Sequence, residues 1–153
     1  MPLKLYLDTS IYGGYYDDEF TLWTRTLIQQ VCDGEHIAMA SSVVLDELQA
    51  APERIKTVFA EIPIDYYQQY DITTEMISLA TDYIRQGVVG QTSYRDCLHI
   101  AAATIVQADY LVSWNFKHIV NVIRIRGYND VNVSNGYRTL EIRSPREIIY
   151  YEN

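Results

Sequence analysis

Cysteine, proline and glycine are scarce in this chain, with two, four and seven copies among 153 residues. Cys32 and Cys97 are too few for a disulfide framework or a thiolate metal knuckle. Both sit inside apolar helical patterns, as buried thiols of a reducing compartment do. The prolines, at positions 2, 52, 63 and 145, are scattered and mark no linker. There is no internal repeat and no low-complexity stretch, so one domain over residues 1–153 is expected. Long hydrophobic runs are missing as well. The longest, such as Ile100 to Ala103, fall far short of the roughly 20 residues that span a bilayer. Met1 to Asp8 holds no extended apolar segment and no small-residue cleavage site, so no secretory signal is read there and the cytoplasm is the expected location.

Positive charge is the other deficit. Twelve basic residues against 20 acidic ones give a formal net charge of −8, the wrong sign for gripping nucleic acid by bulk electrostatics. The deficit is uneven. Lys117, Arg124, Arg126, Arg138, Arg143 and Arg146 face only Asp130 and Glu141 over residues 117–146. That basic stretch reads equally well as a phosphate-facing surface or as the solvated side of C-terminal elements.

What is present is apolar material for a full core, 48% of the chain, arranged in recognisable periods. Leu3–Leu7, His36–Ala40 and Tyr110–Trp114 are short runs suited to strands buried on two faces. Leu140–Arg143 reads as a last strand, followed by Ser144 and Pro145 at the start of a short helix. Between the strands lie helical patterns. Asp17, Asp18 and Glu19 load an expected first turn, Phe20, Trp23, Leu27 and Val31 follow at spacings of three and four, and Gly34 ends the run. Thr73 reads as the N-cap of a helix to Arg85, with Ile72 and Ile77 placed for a hydrophobic staple and Met76, Ala80, Tyr83 and Ile84 on one stripe. Tyr94–Gln107 is apolar around most of its circumference, the mark of a buried helix. The Asn- and Gly-rich segment Gly127–Tyr137 reads as a flexible loop. Strands alternating with helices predict an α/β domain with a mainly parallel sheet and helices on both faces, in which function lies at the carboxyl ends of the strands.

Four residues stand out at such ends. Asp8 follows the first strand, though a turn or helix-capping Asp accounts for it equally well. Glu47 falls on the inward arc of a short helix over Val43–Ala51, whereas Asp46 and Gln49 fall outside; a buried charge there requires a partner or a metal. Asp96 opens the buried helix, where Ser93 to Asp96 also reads as a capping box. Asn115 closes the strand from Tyr110, a place where Asn is an ordinary turn residue. Three carboxylates and an amide from separate elements form an all-oxygen donor set suited to Mg²⁺ or Mn²⁺ and poorly suited to Zn²⁺. The acids repel one another when empty. A divalent ion relieves that repulsion, activates water and neutralises phosphoryl charge, which reconciles an acidic protein with a polyanionic substrate. Lys117 and His118 lie just beyond Asn115, with Arg124 and Arg126 a little further on, as candidates for phosphate contact. His99, one turn after Asp96, is read as a structural histidine. The 14 tyrosines, paired at 15–16, 66–67 and 150–151, suit packing or an interface more than base stacking.

Leu5-Tyr6-Leu7-Asp8-Thr9-Ser10, Ser41 to Leu48 with Glu47, Asp96-Cys97-Leu98-His99-Ile100-Ala101-Ala102-Ala103 and Leu111-Val112-Ser113-Trp114-Asn115 resemble, in order, the four signatures of the PIN-domain nucleases. The resemblance covers nearly the whole chain and is closest to the small VapC-type toxins of toxin–antitoxin pairs. It implies a doubly wound three-layer α/β/α sandwich and Mg²⁺- or Mn²⁺-dependent cleavage of RNA phosphodiesters. Asp8, Glu47 and Asp96 look like the metal-binding acids, Thr9 and Ser10 like the hydroxyl residues that hold a carboxylate or water beside the metal, and Asn115 stands where many members carry Asp. An antitoxin partner and a homodimer are implied. The alternative is a weak or inactive module of the same fold that binds RNA or protein. A haloacid-dehalogenase-type phosphatase is disfavoured, because Asp8-Thr9-Ser10 lacks the second Asp two residues after the nucleophile.

Overall fold

The computed structural model describes residues 2–149. Its strands are β1 (Leu3–Leu7), β2 (His36–Ser41), β3 (Tyr67–Tyr70), β4 (Tyr110–Val112) and β5 (Ile142–Arg143), paired in parallel throughout in the order β3-β2-β1-β4-β5. β1 is central: Leu5 pairs with Ala38 on one side and Tyr110 on the other. Leu5, Tyr6 and Leu7 are fully buried, which is why this strand is a continuous run and not an alternation. β3 carries no such run. Its Tyr-Gln-Gln-Tyr sequence is only half-buried at the sheet edge, and it becomes a strand through pairing with β2.

The helices are α1 (Thr9–Gly14), α2 (Thr21–Cys32), α3 (Ser42–Gln49), α4 (Glu53–Ala60), α5 (Thr74–Arg85), α6 (Tyr94–Ile105), α7 (Val122–Ser134) and α8 (Pro145–Ile148). Right-handed crossovers place α1 to α4 on one face and α5 to α7 on the other. In keeping with this, α1 touches α2 and α4, α5 packs on α6 and α7, and α8 returns against α2. This is the three-layer α/β/α sandwich that the sequence predicts. In α6 every residue from Cys97 to Thr104 is buried, as its all-round apolar pattern requires. Cys97 is a buried free thiol, and Cys32 is free but only half-buried. No helix among the described residues is long and apolar enough to cross a membrane.

Several local expectations are corrected. The segment Gly127–Tyr137 is not a flexible loop; most of it lies in α7. Asn121 caps that helix by accepting from the Ile123 and Arg124 amides, and Tyr128, Val131 and Asn132 are buried. Gly127 serves close packing, since a Cβ there would sit 2.8 Å from Val88 Cγ1. α2 starts after the acidic triplet. Asp17 instead organises the preceding turn, accepting from the Glu19 amide at 2.9 Å. Thr73 does cap α5, but Ile77 of the expected staple remains 43% exposed. Tyr150 and Tyr151 lie outside the described residues.

The chain moves from β1 outward to β3, then returns past β1 to β4. The reversal creates a topological switch point between β1 and β4, where ligands of open α/β sheets bind. Asp8 and the segment Ser113–Asn115 emerge there.

Candidate functional site at the sheet switch point

Asp8 continues the β1–β4 ladder by one residue, its amide donating to the Val112 carbonyl at 3.2 Å. It occupies the N-cap position of α1, yet its side chain caps nothing. The carboxylate accepts instead from Ser10 Oγ at 2.5 Å and from Ser113 Oγ at 2.6 Å. Only 4% of the residue is exposed. Burial pushes its pKa above the ordinary carboxylate value and repulsion from Asp96 adds to this, against the pull of His99 and the two hydroxyls. Those hydroxyls also accept from the Trp114 and Asn115 amides at 3.0 and 2.9 Å. The ends of β1 and β4 are thereby tied together through serine oxygens.

Glu47 projects from α3 on the inward side while Asp46 is exposed, as the helical arc requires. Its Oε1 accepts from Thr9 Oγ1 at 2.7 Å and contacts His99 Nε2 at 2.7 Å. Burial opposes its ionisation, but His99, Thr9 and Arg95 outweigh that and hold its pKa below the usual value. His99 is almost wholly buried, and its Nδ1 meets Tyr6 Oη at 2.7 Å, which in turn meets Ser41 Oγ at 2.7 Å. A chain of polar groups from Ser41 through Tyr6 and His99 thus fixes Glu47 from beneath. Its structural role is the one expected of this histidine, and its position makes it the anchor of an acid.

Asp96 heads α6, but Ser93 makes no side-chain cap, so the capping box does not form. Burial raises its pKa and Glu47 raises it further, while His99, His118 and the Asn115 amide act the other way. Asn115 donates from Nδ2 to Asp96 Oδ2 at 3.4 Å, and its Oδ1 accepts from the His118 amide at 2.9 Å. The reverse orientation would set an amide oxygen against a carboxylate and an NH₂ against an N–H. Asn115 therefore offers Asp96 a donor, with its oxygen engaged in the following turn.

No family model matches the sequence, and a comparison with curated proteins finds no match. Solved structures do match by shape. A chain of the VapBC2 structure of Rickettsia felis, bound to a DNA fragment from their promoter, superposes with a TM-score of 0.57 at 16% identity, over 93% of this chain and 98% of that one. VapC20 of Mycobacterium tuberculosis, a Sarcin-Ricin loop cleaving toxin, gives 0.58 at 12% identity, over 74% of this chain and 91% of that one. The chain shares the fold of these two structures, a PIN-like α/β/α sandwich.

On this fold the acids Asp8, Glu47 and Asp96 come from three elements, the end of β1, α3 and the head of α6. Asp96 is coupled electrostatically to both of the others. Among the described residues, however, no three acidic, histidine or cysteine side chains are gathered closely enough to hold one ion. The donors fit a hard divalent cation in kind, being carboxylates of which two are pushed toward protonation by burial and like charge. Of the phosphate-contact candidates, Lys117 and Arg126 are exposed. His118 is half-buried, its carbonyl accepts from Tyr128 Oη at 2.7 Å, and its buried Nδ1 has no partner among the described residues. Arg124 is turned away to the Val88 carbonyl. The sequence reading missed Ser113 and Tyr6. Each is a hydroxyl in or beside an apolar strand run, and both lie in the segments that carry the family resemblance.

Proposed function

We propose that this chain is a metal-dependent endoribonuclease of the VapC type. Supporting this reading are the shared fold and the electrostatic coupling of Asp96 to both Asp8 and Glu47 beside the sheet's switch point, with Asp8 and Asp96 both pushed toward protonation by burial and like charge. These three acids would hold Mg²⁺ or Mn²⁺, which when bound supplies activation of water and neutralisation of charge on a phosphoryl oxygen. The chain's own groups set the stage. Ser10 and Ser113 fix the Asp8 carboxylate, Thr9 and His99 fix Glu47, and the Asn115 amide holds the Asp96 side chain in the crevice. Lys117, His118 and Arg126 would meet flanking phosphates, and Arg124 would do so only by releasing the Val88 carbonyl. An antitoxin partner, pairing of two copies and a cytoplasmic setting belong to the same reading.

The amide orientation of Asn115 favours a second reading, a module of this fold that binds without cleaving. The two separate in one assay. A nuclease degrades unpaired RNA in Mn²⁺, stops in EDTA, and loses at least about 100-fold in rate in Asp8→Asn. Degradation by Asp8→Asn at the wild-type rate would sink the assignment.

A further inference from the structure

We infer that the exposed ring of Phe116 is a stacking platform for one unpaired base of an RNA whose backbone crosses the carboxylate crevice. The inference rests on the nuclease reading and adds how the strand is held.

Phe116 directly follows Asn115, whose amide touches Asp96. It is 45% exposed although it lies beside a buried aromatic group. That group is closely packed. Trp114 stacks on Phe20 with ring centroids 4.1 Å apart and planes 17° apart. Its indole N–H donates to Thr24 Oγ1 at 2.9 Å. Gly14 leaves the space the indole needs, since a Cβ there would lie 2.7 Å from two of its ring atoms. Phe116 leans on this support, 6.0 Å from Trp114 at 62° and 6.2 Å from Phe20 at 50°. The backbone beneath it is closed by the Ile119 and Val120 amides, which donate to the Asn115 carbonyl at 3.1 and 2.8 Å. A ring so braced loses little conformational freedom when something lies on its open face.

The occupant follows from continuity. Asn115 links Asp96 to the ring, so a chain with a phosphodiester at the acids carries its next group to Phe116. For a nucleic acid that group is a base, and every base offers a π-face. Lys117, exposed beside the ring, supplies the positive charge that the acids lack. A duplex cannot present such a base, because its bases are already stacked inside, so the site selects unpaired RNA.

The test is fluorescence anisotropy with a labelled mixed-sequence oligoribonucleotide, unpaired and in duplex. It is run in Ca²⁺ for binding, with parallel cleavage assays in Mn²⁺. Phe116→Ala should bind the unpaired strand about tenfold more weakly than wild type, and Phe116→Tyr should bind close to wild type. The weak duplex binding should not change, and circular dichroism should show both variants folded. Equal affinity in Phe116→Ala, or Phe116→Tyr as weak as Phe116→Ala, overturns the proposal. Unchanged RNA affinity with a smaller sedimentation coefficient in Phe116→Ala would assign the ring to contact between copies and also overturns it. If wild type cleaves RNA while Phe116→Ala binds as well as it does, stacking alone is wrong. If wild type neither binds nor cleaves, the nuclease reading falls and takes this inference with it.

Discussion

At the residue scale the site is a set of acids held in opposite electrostatic states. Asp8 and Asp96 have raised pKa values and Glu47 a lowered one. For a group raised on folding, the stability it contributes is complete below the ordinary carboxylate pKa and is lost as pH rises through the folded value. In metal-free protein, Asp8 and Asp96 therefore penalise the folded state at neutral pH. Glu47 does the reverse, stabilising above its ordinary pKa and failing as pH drops through its lowered one. Asp96→Asn in EDTA at pH 7 should accordingly melt about 2–4 °C above wild type, the shift that roughly 1 kcal/mol gives at this chain size. The difference should shrink toward pH 4, and thermal melts across that range check it. His99→Ala strips partners from Tyr6 and Glu47 together. It should cost about 2 kcal/mol in urea unfolding, as loss of a buried hydrogen-bonded group does, and weaken Mn²⁺ uptake as well. The acids themselves were legible because placement at strand ends and on the inner arc of a helix follows from spacing. The Asn115 orientation was not, since it depends on an amide three residues further on.

At the element scale, legibility followed periodicity. β1, β2, α5 and α6 bury continuous or regularly spaced apolar residues, and the chain pattern located them within a residue or two. α7 has no such stripe. Its inner face is set by Tyr128, Val131 and a fully buried asparagine, Asn132. Tyr83 Oη donates to Asn132 Oδ1, while Nδ2 donates to Thr104 Oγ1 at 3.3 Å and to Asn129 Oδ1 at 3.2 Å. Polar residues and a glycine therefore pack this helix against α5 and α6, and in one dimension such residues read as a loop. β3 was hidden for a related reason, because an edge strand with glutamines at its centre is specified by its neighbour. Asn132→Ala should cost about 2 kcal/mol in chemical denaturation by orphaning Tyr83. The Asn132 side chain bonds to Tyr83, Thr104 and Asn129 and to none of the acids, so RNA cleavage per folded molecule should be unchanged.

At the scale of the whole molecule, an acidic chain with a net charge of −8 must approach a polyanion through few contacts. Two cationic candidate phosphate contacts, Lys117 and Arg126, set a shallow salt dependence, with a slope of log affinity against log salt of about −1.4 for a single strand. Lys117→Ala and Arg126→Ala should each reduce that slope by about 0.7 and weaken binding evenly across sequences, as anisotropy titrations at several salt concentrations will show. The sheet order behind this arrangement was legible only as a class. Alternating strands and helices announce a parallel sheet, but the reversal that brings Asp8 beside Ser113 is a property of pairing. No single segment of the chain carries it.

The most direct test of the site is a calorimetric Mn²⁺ titration of wild type against Asp96→Asn, because it requires no knowledge of the RNA. Saturable uptake by wild type that Asp96→Asn loses is the expected result, and with it the three acids hold a cation. Absence of uptake by folded wild-type protein, or uptake undiminished in Asp96→Asn, would contradict the carboxylate site and leave the fold without the proposed chemistry.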